Sequence, residues 1–371
     1  MQLVPCALVV TICVLAACAT APANDQSNET SSGDTSLATG PQGSDEDSTT
    51  NATTSGAGSS GPAQADSSSS DTVDPDSGSS GEPSTGRVHV VLFTHIEDAS
   101  PPGMLGTPES ITQFMGMRAR MIEMAELADS HGLQWVLQPD WKILEAALQY
   151  EDAETTATTN GKGFLQYLRE DLGVVIDPHS HENGGYNYTD VAHLLERLEV
   201  GGSTVIGGHI WDPSLPQFQQ WDRFREPVDG VAYPDATWRG DILIGSGTPN
   251  HVNDPIISGI WRPLDRDNYW TDDPDGNIVA VGAWHEQVSG VQALVDAYAD
   301  GTVPPERLLT ASWNVTPTEI MATDGLAAIE QDVLLPLVAL RDDGLVVVTD
   351  FTTLIDTWQT DFGGEAYVYE P

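Results

Sequence analysis

Three side chains within five residues have the types and the spacing of a metal site. The segment reads Asp177-Pro-His179-Ser-His181 and follows a short apolar stretch. In an extended chain, residues two apart point to the same side, so the carboxylate and both imidazoles can converge. A divalent ion such as Zn²⁺ binds such groups, and an open coordination position would activate water. The alternative interpretation is a polar loop in which each histidine only caps a turn.

A pair of adjacent carboxylates, Glu97 and Asp98, follows another apolar stretch. One carboxylate of such a pair can ligate a cation while the other takes a proton from its water, with its pKa set by burial and by the nearby charge. Two further histidines, His95 and His285, also end apolar stretches. They are candidates for the acid that protonates a leaving group.

Tryptophan and arginine are concentrated in the second half of the chain. Tryptophan faces stack on sugar rings and arginine forks hold carboxylate or hydroxyl groups, so these residues predict a groove for carbohydrate. The alternative is that long loops need tryptophans for packing. The candidate substrate-binding residues are Trp211, Arg239, Trp261, Arg262 and Trp284.

The elements that must position these residues alternate between short apolar strands and amphipathic helices. The first strand covers about residues 88–95, and a helix is predicted over 108–130. Such alternation implies parallel pairing and right-handed crossovers. Seven or eight units within residues 87–371 favour an α/β fold of the (β/α) barrel type. In such a barrel the chemistry lies at the carboxyl ends of the strands, where the histidines and paired acids fall.

The amino-terminal segment has the features of an export signal followed by a tether. Residues 1–17 are mostly apolar and end in Leu15-Ala-Ala17, directly before Cys18. They resemble a bacterial lipoprotein signal, which implies cleavage before Cys18 and acylation of its thiol; the alternative is an ordinary signal peptide. Residues 18–86 contain no aromatic residue, which predicts a disordered tether. We therefore expect lipid anchoring in the cell envelope, at the outer membrane or cell surface.

The charge balance excludes one class of partner. The chain has 14 Lys and Arg against 56 Asp and Glu, a formal charge of −42, and it contains no basic run. Such a surface repels phosphate backbones, so nucleic-acid binding is not expected. Residues 87–371 carry 45 of the acids and all 14 bases, which leaves −31 on the predicted domain. We expect its melting temperature to rise with NaCl, because counterions screen self-repulsion.

These motifs resemble the glycoside hydrolase/deacetylase superfamily, which includes polysaccharide deacetylases with a distorted seven-stranded (β/α) barrel. Glu97-Asp98 are similar to the family's paired acids, a base followed by a metal ligand. His179-Ser-His181-Glu-Asn183 is similar to the start of its metal-binding motif, although Asn183 replaces the second histidine. Either His181 takes that place as a ligand, or metal binding is weakened or lost.

The first hypothesis is a surface-anchored, metal-dependent hydrolase that removes acetyl groups from carbohydrate. In it Asp98, His179 and His181 hold a divalent ion such as zinc, Glu97 is the general base, and His285 or His95 is the acid. A second hypothesis is a non-catalytic glycan-binding lipoprotein on a degenerate barrel. A third is a metal-dependent phosphoesterase. The sequence leaves the oligomeric state open.

Overall fold

The computed structural model describes residues 86–97, 102–182, 184–208, 218–244, 256–282, 284 and 287–370. All of them belong to one unit, Pro75–Pro371. The predicted signal peptide, the lipidation site Cys18 and residues 18–85 of the predicted tether lie outside the described residues.

The described elements begin with a strand and then alternate between helices and strands, with extra short strands in the second half. The helices are α1 (Pro108–Ser130), α2 (Trp141–Tyr150), α3 (Ala153–Thr156), α4 (Phe164–Asp171), α5 (Tyr188–Arg197), α6 (Gln287–Ala299), α7 (Pro317–Met321), α8 (Gly325–Ile329), α9 (Leu335–Asp342) and α10 (Phe351–Asp361). The strands are β1 (Val88–Ile96), β2 (Val136–Pro139), β3 (Val175–Ile176), β4 (Val205–Ile206), β5 (Val228–Asp229), β6 (Thr237–Trp238), β7 (Ile242–Ile244), β8 (Ser258–Trp261), β9 (Val279–Val281), β10 (Leu309–Asn314), β11 (Val346–Thr349) and β12 (Tyr367–Tyr369).

The first sheet is wholly parallel and is built around β1. Its order is β10-β1-β2-β3, and β11 also pairs with β1. Eight of the nine residues of β1 are buried, because helices or side chains cover both faces. In the pairing of β1 with β2, His95 lies opposite Gln138. The carboxyl ends of β1, β2 and β3 therefore lie at one edge of this sheet.

The second sheet mixes strand directions and has the order β12-β8-β9-β7-β4. Strands β4, β7 and β9 pair in parallel, as predicted, whereas β8 is antiparallel to both β9 and β12. The sequence pattern did not predict β8 or β12. Each has only four residues or fewer, and Ser258-Gly259 at the start of β8 lacks the β-branched residues typical of strands.

The predicted α/β class is confirmed, and the described strands form two five-stranded sheets rather than one closed barrel. The contacts that join the sheets include the following two. His179, after β3, forms a parallel bridge with Gly207, after β4. On the other side, the amide of Ser312 in β10 donates to the carbonyl of Trp284, after β9, at 3.0 Å.

Helix α1 shows how the sequence determines an element of the outer layer. Thr107 caps it by accepting from the amide of Ser110, and Pro108 occupies the first turn, where a missing amide hydrogen costs nothing. Its buried face includes Phe114, Met117 and Met121, all fully buried against the first sheet. Burying each such side chain contributes about 1.5–3 kcal/mol.

The sequence pattern predicts one helix over residues 326–340, and the structure divides this segment into parts. A π-helical turn, Glu330–Leu334, lies between α8 and α9. Pro336 explains the change, because it lacks the amide hydrogen and its ring would clash with the carbonyl four residues earlier. Among the described residues, no helix is long and apolar enough to cross a membrane.

Candidate metal centre

The predicted metal-binding segment and the end of β1 meet where the two sheets join. Glu97 directly follows β1, and Asp177 directly follows β3. The amide of His179 donates to the carbonyl of Pro139 at 3.4 Å, and the amide of Gly207 donates to that of Pro178 at 3.1 Å. The backbone of two neighbouring strands therefore positions His179.

Three histidines surround the Glu97 carboxylate. The ring centres of His95 and His179 are 4.3 Å apart, and those of His179 and His181 are 4.9 Å apart. Glu97 Oε2 lies 3.1 Å from His181 Nδ1 and 3.8 Å from His179 Nε2. One donor atom from each of His95, Glu97 and His179 lies within 4.8 Å of the others. The structure thus brings together four of the sequence-predicted residues.

The site changes the protonation of its own members. Burial lowers the pKa of His95 well below its usual value, and the charges of His179 and His181 add to the effect. Burial of Glu97 acts in the opposite direction, but hydrogen bonds and charge from His179 and His181 hold its pKa far below its usual range. A neutral imidazole beside an ionised carboxylate is the protonation state that a divalent cation requires of its ligands.

Asp177 does not join this group, although its spacing predicted that it would. Its side chain is fully buried, where Ser203 Oγ donates to Oδ1 at 2.6 Å and Gln138 Nε2 approaches Oδ2 at 3.5 Å. Burial raises its pKa to about 6 against these two hydrogen bonds. Asp177 lies two residues before His179 along the segment, and there Ser203 and Gln138 hold its carboxylate.

Two glycines leave space for the centre. A Cβ on Gly208 would lie 2.2 Å from His179 Cε1, and its φ of +77° is strained for other residues. A Cβ on Gly207 would lie 2.7 Å from Gln138 Oε1. Side chains at these positions would displace the His179 ring and the Gln138 amide.

Charged and aromatic residues that the sequence did not single out lie close to the centre. Glu182, next to His181, forms an ion pair with Arg223 at 2.6 Å. Trp141, the first residue of α2, stacks on Tyr186 with ring centres 4.4 Å apart and planes 3° apart. The sequence signal that could have identified Trp141 is its position shortly after a predicted strand.

The predicted substrate-binding residues do not gather around this centre. Trp261 is fully buried and Trp284 is 5% exposed, so protein atoms cover their ring faces. Arg262 forms a two-point contact with Asp272 and lies over the Trp358 ring, while Arg239 donates to the Asn277 carbonyl. Trp261, Arg262 and Arg239 contact the second sheet and its loops, and the Trp284 indole nitrogen donates to the Gly290 carbonyl in α6. The predicted residues Asp98, Trp211 and His285, together with Asn183, lie outside the described residues.

Known proteins offer only distant similarities. No family model and no curated protein matches the sequence. The fold shares some similarity with a 4-alpha-glucanotransferase from Thermococcus litoralis, with a TM-score of 0.42, 9% identity and 77% of this chain covered. The matched region spans 42% of the glucanotransferase chain. A GH57 branching enzyme from Thermococcus kodakaraensis gives a TM-score of 0.38 and 9% identity, with 73% of this chain and 71% of that chain covered. Likenesses this low do not place the chain in a family.

Proposed function

We propose that His95, Glu97 and His179 bind one divalent metal ion, with zinc as the best candidate, and that the protein is a metal-dependent hydrolase. The observation that carries the proposal is the convergence of three imidazoles on one carboxylate at the carboxyl ends of β1 and β3. Open α/β sheets bind their ligands at this edge. The substrate class we propose is acetylated carbohydrate, from which the enzyme removes N- or O-acetyl groups.

The donor set fits a zinc-like ion after a small contraction. With ligand distances of about 2.0–2.2 Å, two donors of a tetrahedral ion lie about 3.4 Å apart. The three donors here lie within 4.8 Å, so binding would draw them together by about 1 Å. The Glu97 side chain is 38% exposed and can move by that amount, whereas the buried His179 provides the rigid part of the site.

The proposal changes three roles that the sequence assigned, those of Glu97, His95 and His181. Glu97 becomes a ligand instead of the base, and His95 becomes a ligand instead of the acid. The bound ion would polarise the acetyl carbonyl and make its water more acidic. His181 contacts Glu97 and is 21% exposed, so it is placed to accept the water proton and to return it to the leaving group. Asp98 and His285 stay predictions.

The carbohydrate part of the proposal is supported by the sequence resemblance and by the rim of the site. Trp141 and Tyr186 provide one stacked aromatic surface beside the end of β2, and stacked rings favour contact with sugar faces. Arg223 and Glu182 supply hydrogen-bond donors and acceptors for hydroxyl groups on the same rim. These four residues replace the buried tryptophans as the substrate-binding candidates.

The test measures metal content and product together. The full chain, loaded with zinc, is assayed for acetate released from acetylated xylan and acetylated chitin oligosaccharides. We expect acetate release that stops in the His179→Ala, His181→Ala double variant, with bound zinc lost in elemental analysis. Leu264→Ala, an exposed change in another loop, is the matched control. Unchanged zinc content in the double variant would refute the site.

The same assay distinguishes the two alternative functions. Retention on glycan without acetate release, with or without zinc, would support a non-catalytic glycan-binding protein. Release of nitrophenol from a generic nitrophenyl phosphodiester would support the phosphoesterase. The acidic surface argues against a phosphorylated polymer, because long-range repulsion slows its approach.

We also propose that Cys18 is acylated and anchors the chain at the outer membrane or cell surface. The support is the segment Leu15-Ala-Ala-Cys18, which has the sequence of a lipoprotein cleavage site. Expression of the full chain in a bacterial host should place the protein in the detergent fraction. The Cys18→Ser variant should lose that association; equal partitioning of both forms would overturn the anchor.

A further inference from the structure

We propose that Gln138 is a positioning residue that holds the His95 ring in the orientation a metal ligand needs. Gln138 Oε1 would accept the hydrogen of His95 Nε2, while its amide nitrogen is held by Asp177. The inference rests on the proposed metal centre and adds the residues that orient one ligand. Metal-bound histidines commonly donate their second ring hydrogen to such a partner.

The fold places the two side chains on adjacent strands at the same level. Gln138 in β2 lies directly opposite His95 in β1 in the strand register. Cross-strand neighbours have Cβ atoms about 4.5–5.5 Å apart, within reach of a glutamine side chain. Gln138 is fully buried. Its side chain therefore lies beside β1 inside the protein, away from solvent.

The neighbouring carboxylate determines which way the Gln138 amide points. The group that faces Asp177 Oδ2 is the amide nitrogen of Gln138, which donates to that oxygen at 3.5 Å. Asp177 is itself held by the 2.6 Å hydrogen bond from Ser203. Gln138 Oε1 is thereby directed away from Asp177 and needs a donor of its own.

Two buried polar atoms lack a hydrogen bond within the described residues, and one can donate to the other. Gln138 Oε1 and His95 Nε2 are both buried, and among the described residues neither makes a hydrogen bond of standard geometry. One is an acceptor, and the other is a donor in one of the two neutral tautomers of histidine. A small ring rotation on metal binding would pair them and leave the lone pair of Nδ1 for the ion. Gly207 provides the space, since a Cβ there would lie 2.7 Å from Gln138 Oε1.

The experiment compares two variants that differ in the acceptor atom. Gln138→Met keeps the length of the side chain and removes the acceptor. The double variant Gln138→Glu, Asp177→Asn keeps an oxygen at that position and places a new amide donor against the second carboxylate oxygen. Cobalt is titrated into the full chain, and both the dissociation constant and the visible d–d spectrum are recorded. We expect Gln138→Met to weaken cobalt binding about 10–100-fold and to shift the d–d bands. The double variant should keep the affinity within about threefold of that of the unmodified protein and should keep its spectrum.

A control variant separates positioning from general damage. Leu264→Ala, an exposed change in another loop, leaves Asp177 and Gln138 in place, so its cobalt affinity should match that of the unmodified protein. Thermal unfolding of each apo-protein confirms that the variants fold. Equal affinity and spectra for Gln138→Met and the unmodified protein would overturn this inference alone. Failure of the unmodified protein to bind cobalt and zinc would instead overturn the metal centre.

Discussion

The two sheets receive residues of chemically active types but place them differently. At the edge of the first sheet, His95, Glu97 and His179 leave adjacent strand ends and point toward one another. In the second sheet, Trp261 turns into the core and Arg262 binds Asp272. Both groups looked functional in the sequence, since both consist of residues that bind ligands. The difference is the strand pairing: the first group lies at the carboxyl ends of adjacent parallel strands, whereas Trp261 ends a strand that pairs antiparallel with its neighbours.

The comparison also teaches why burial has opposite meanings in the two regions. Trp261 is surrounded by other aromatic rings, and its indole nitrogen donates to the Tyr269 carbonyl at 2.7 Å, so its bonding is complete. His179 is equally buried, but it lies against an ionised carboxylate and another imidazole. Burial with apolar partners indicates packing, whereas burial among titratable groups indicates a candidate site.

The largest effect should come from His179→Ala in the first sheet. Loss of a direct ligand should weaken zinc or cobalt binding by at least about 100-fold, above the effect typical of outer partners. Isothermal titration of the full chain measures it. In the second sheet, Trp261→Phe should leave metal affinity unchanged. Equal metal binding by His179→Ala and the unmodified protein would remove the distinction between the sheets.

Trp261→Ala should instead reduce the free energy of unfolding by about 3–5 kcal/mol, because it leaves a large cavity in the aromatic cluster. Urea unfolding followed by circular dichroism measures the change. Leu264→Ala, a site that is 40% exposed, should change stability by less than about 0.5 kcal/mol. A loss below about 1 kcal/mol for Trp261→Ala would contradict its assignment to the core.

His89 lies at the other end of β1 and tests whether burial alone perturbs a histidine. Burial first, and the charge of Arg87 second, lower the pKa of His89 from 6.5 to about 4. Between these values the unfolded chain binds the proton and the folded protein does not. Stability should therefore be complete above pH 6.5 and should fall by up to about 3 kcal/mol as pH approaches 4.

The variant His89→Phe, whose side chain cannot be protonated, should lack the contribution of His89 to the pH dependence of stability. Urea unfolding at pH 8 and at pH 5 gives the difference between the two proteins. At pH 8 both side chains are neutral, so only packing differs and serves as the internal control. Parallel stability curves for the two proteins across this range would show that His89 does not contribute.

The smallest effect is expected at Arg262, the arginine that the sequence assigned to substrate. Arg262→Lys loses the two-point contact with Asp272 and the hydrogen bond to the Gly364 carbonyl. Because the ion pair is partly exposed, we expect a loss of about 1–2 kcal/mol in unfolding free energy. Acetate release should not change. A fall in activity without a fall in stability would return Arg262 to the substrate site.

Local sequence patterns predicted most of the first half of the fold. The sequence predicts helices over about 108–130, 141–149, 164–172 and 188–198, and the ends of α1, α2, α4 and α5 agree with these to about one residue. The antiparallel strands β8 and β12 were missed, because an alternation of strands and helices predicts only parallel strands. Pairing with β9 stabilises β8 through contacts that are distant in the sequence.

The sequence by itself determined which residues could form a site: histidines and acids that follow apolar strands converge if those strands are parallel neighbours. The tertiary structure determined which of these residues belong to the site. It turned Asp177 toward Ser203, brought His95 beside His179, and placed Gln138 opposite His95. It also buried Trp261 and Trp284. The physical reason is that side-chain direction and burial depend on strand pairing across long loops, and residue type and spacing do not encode that pairing.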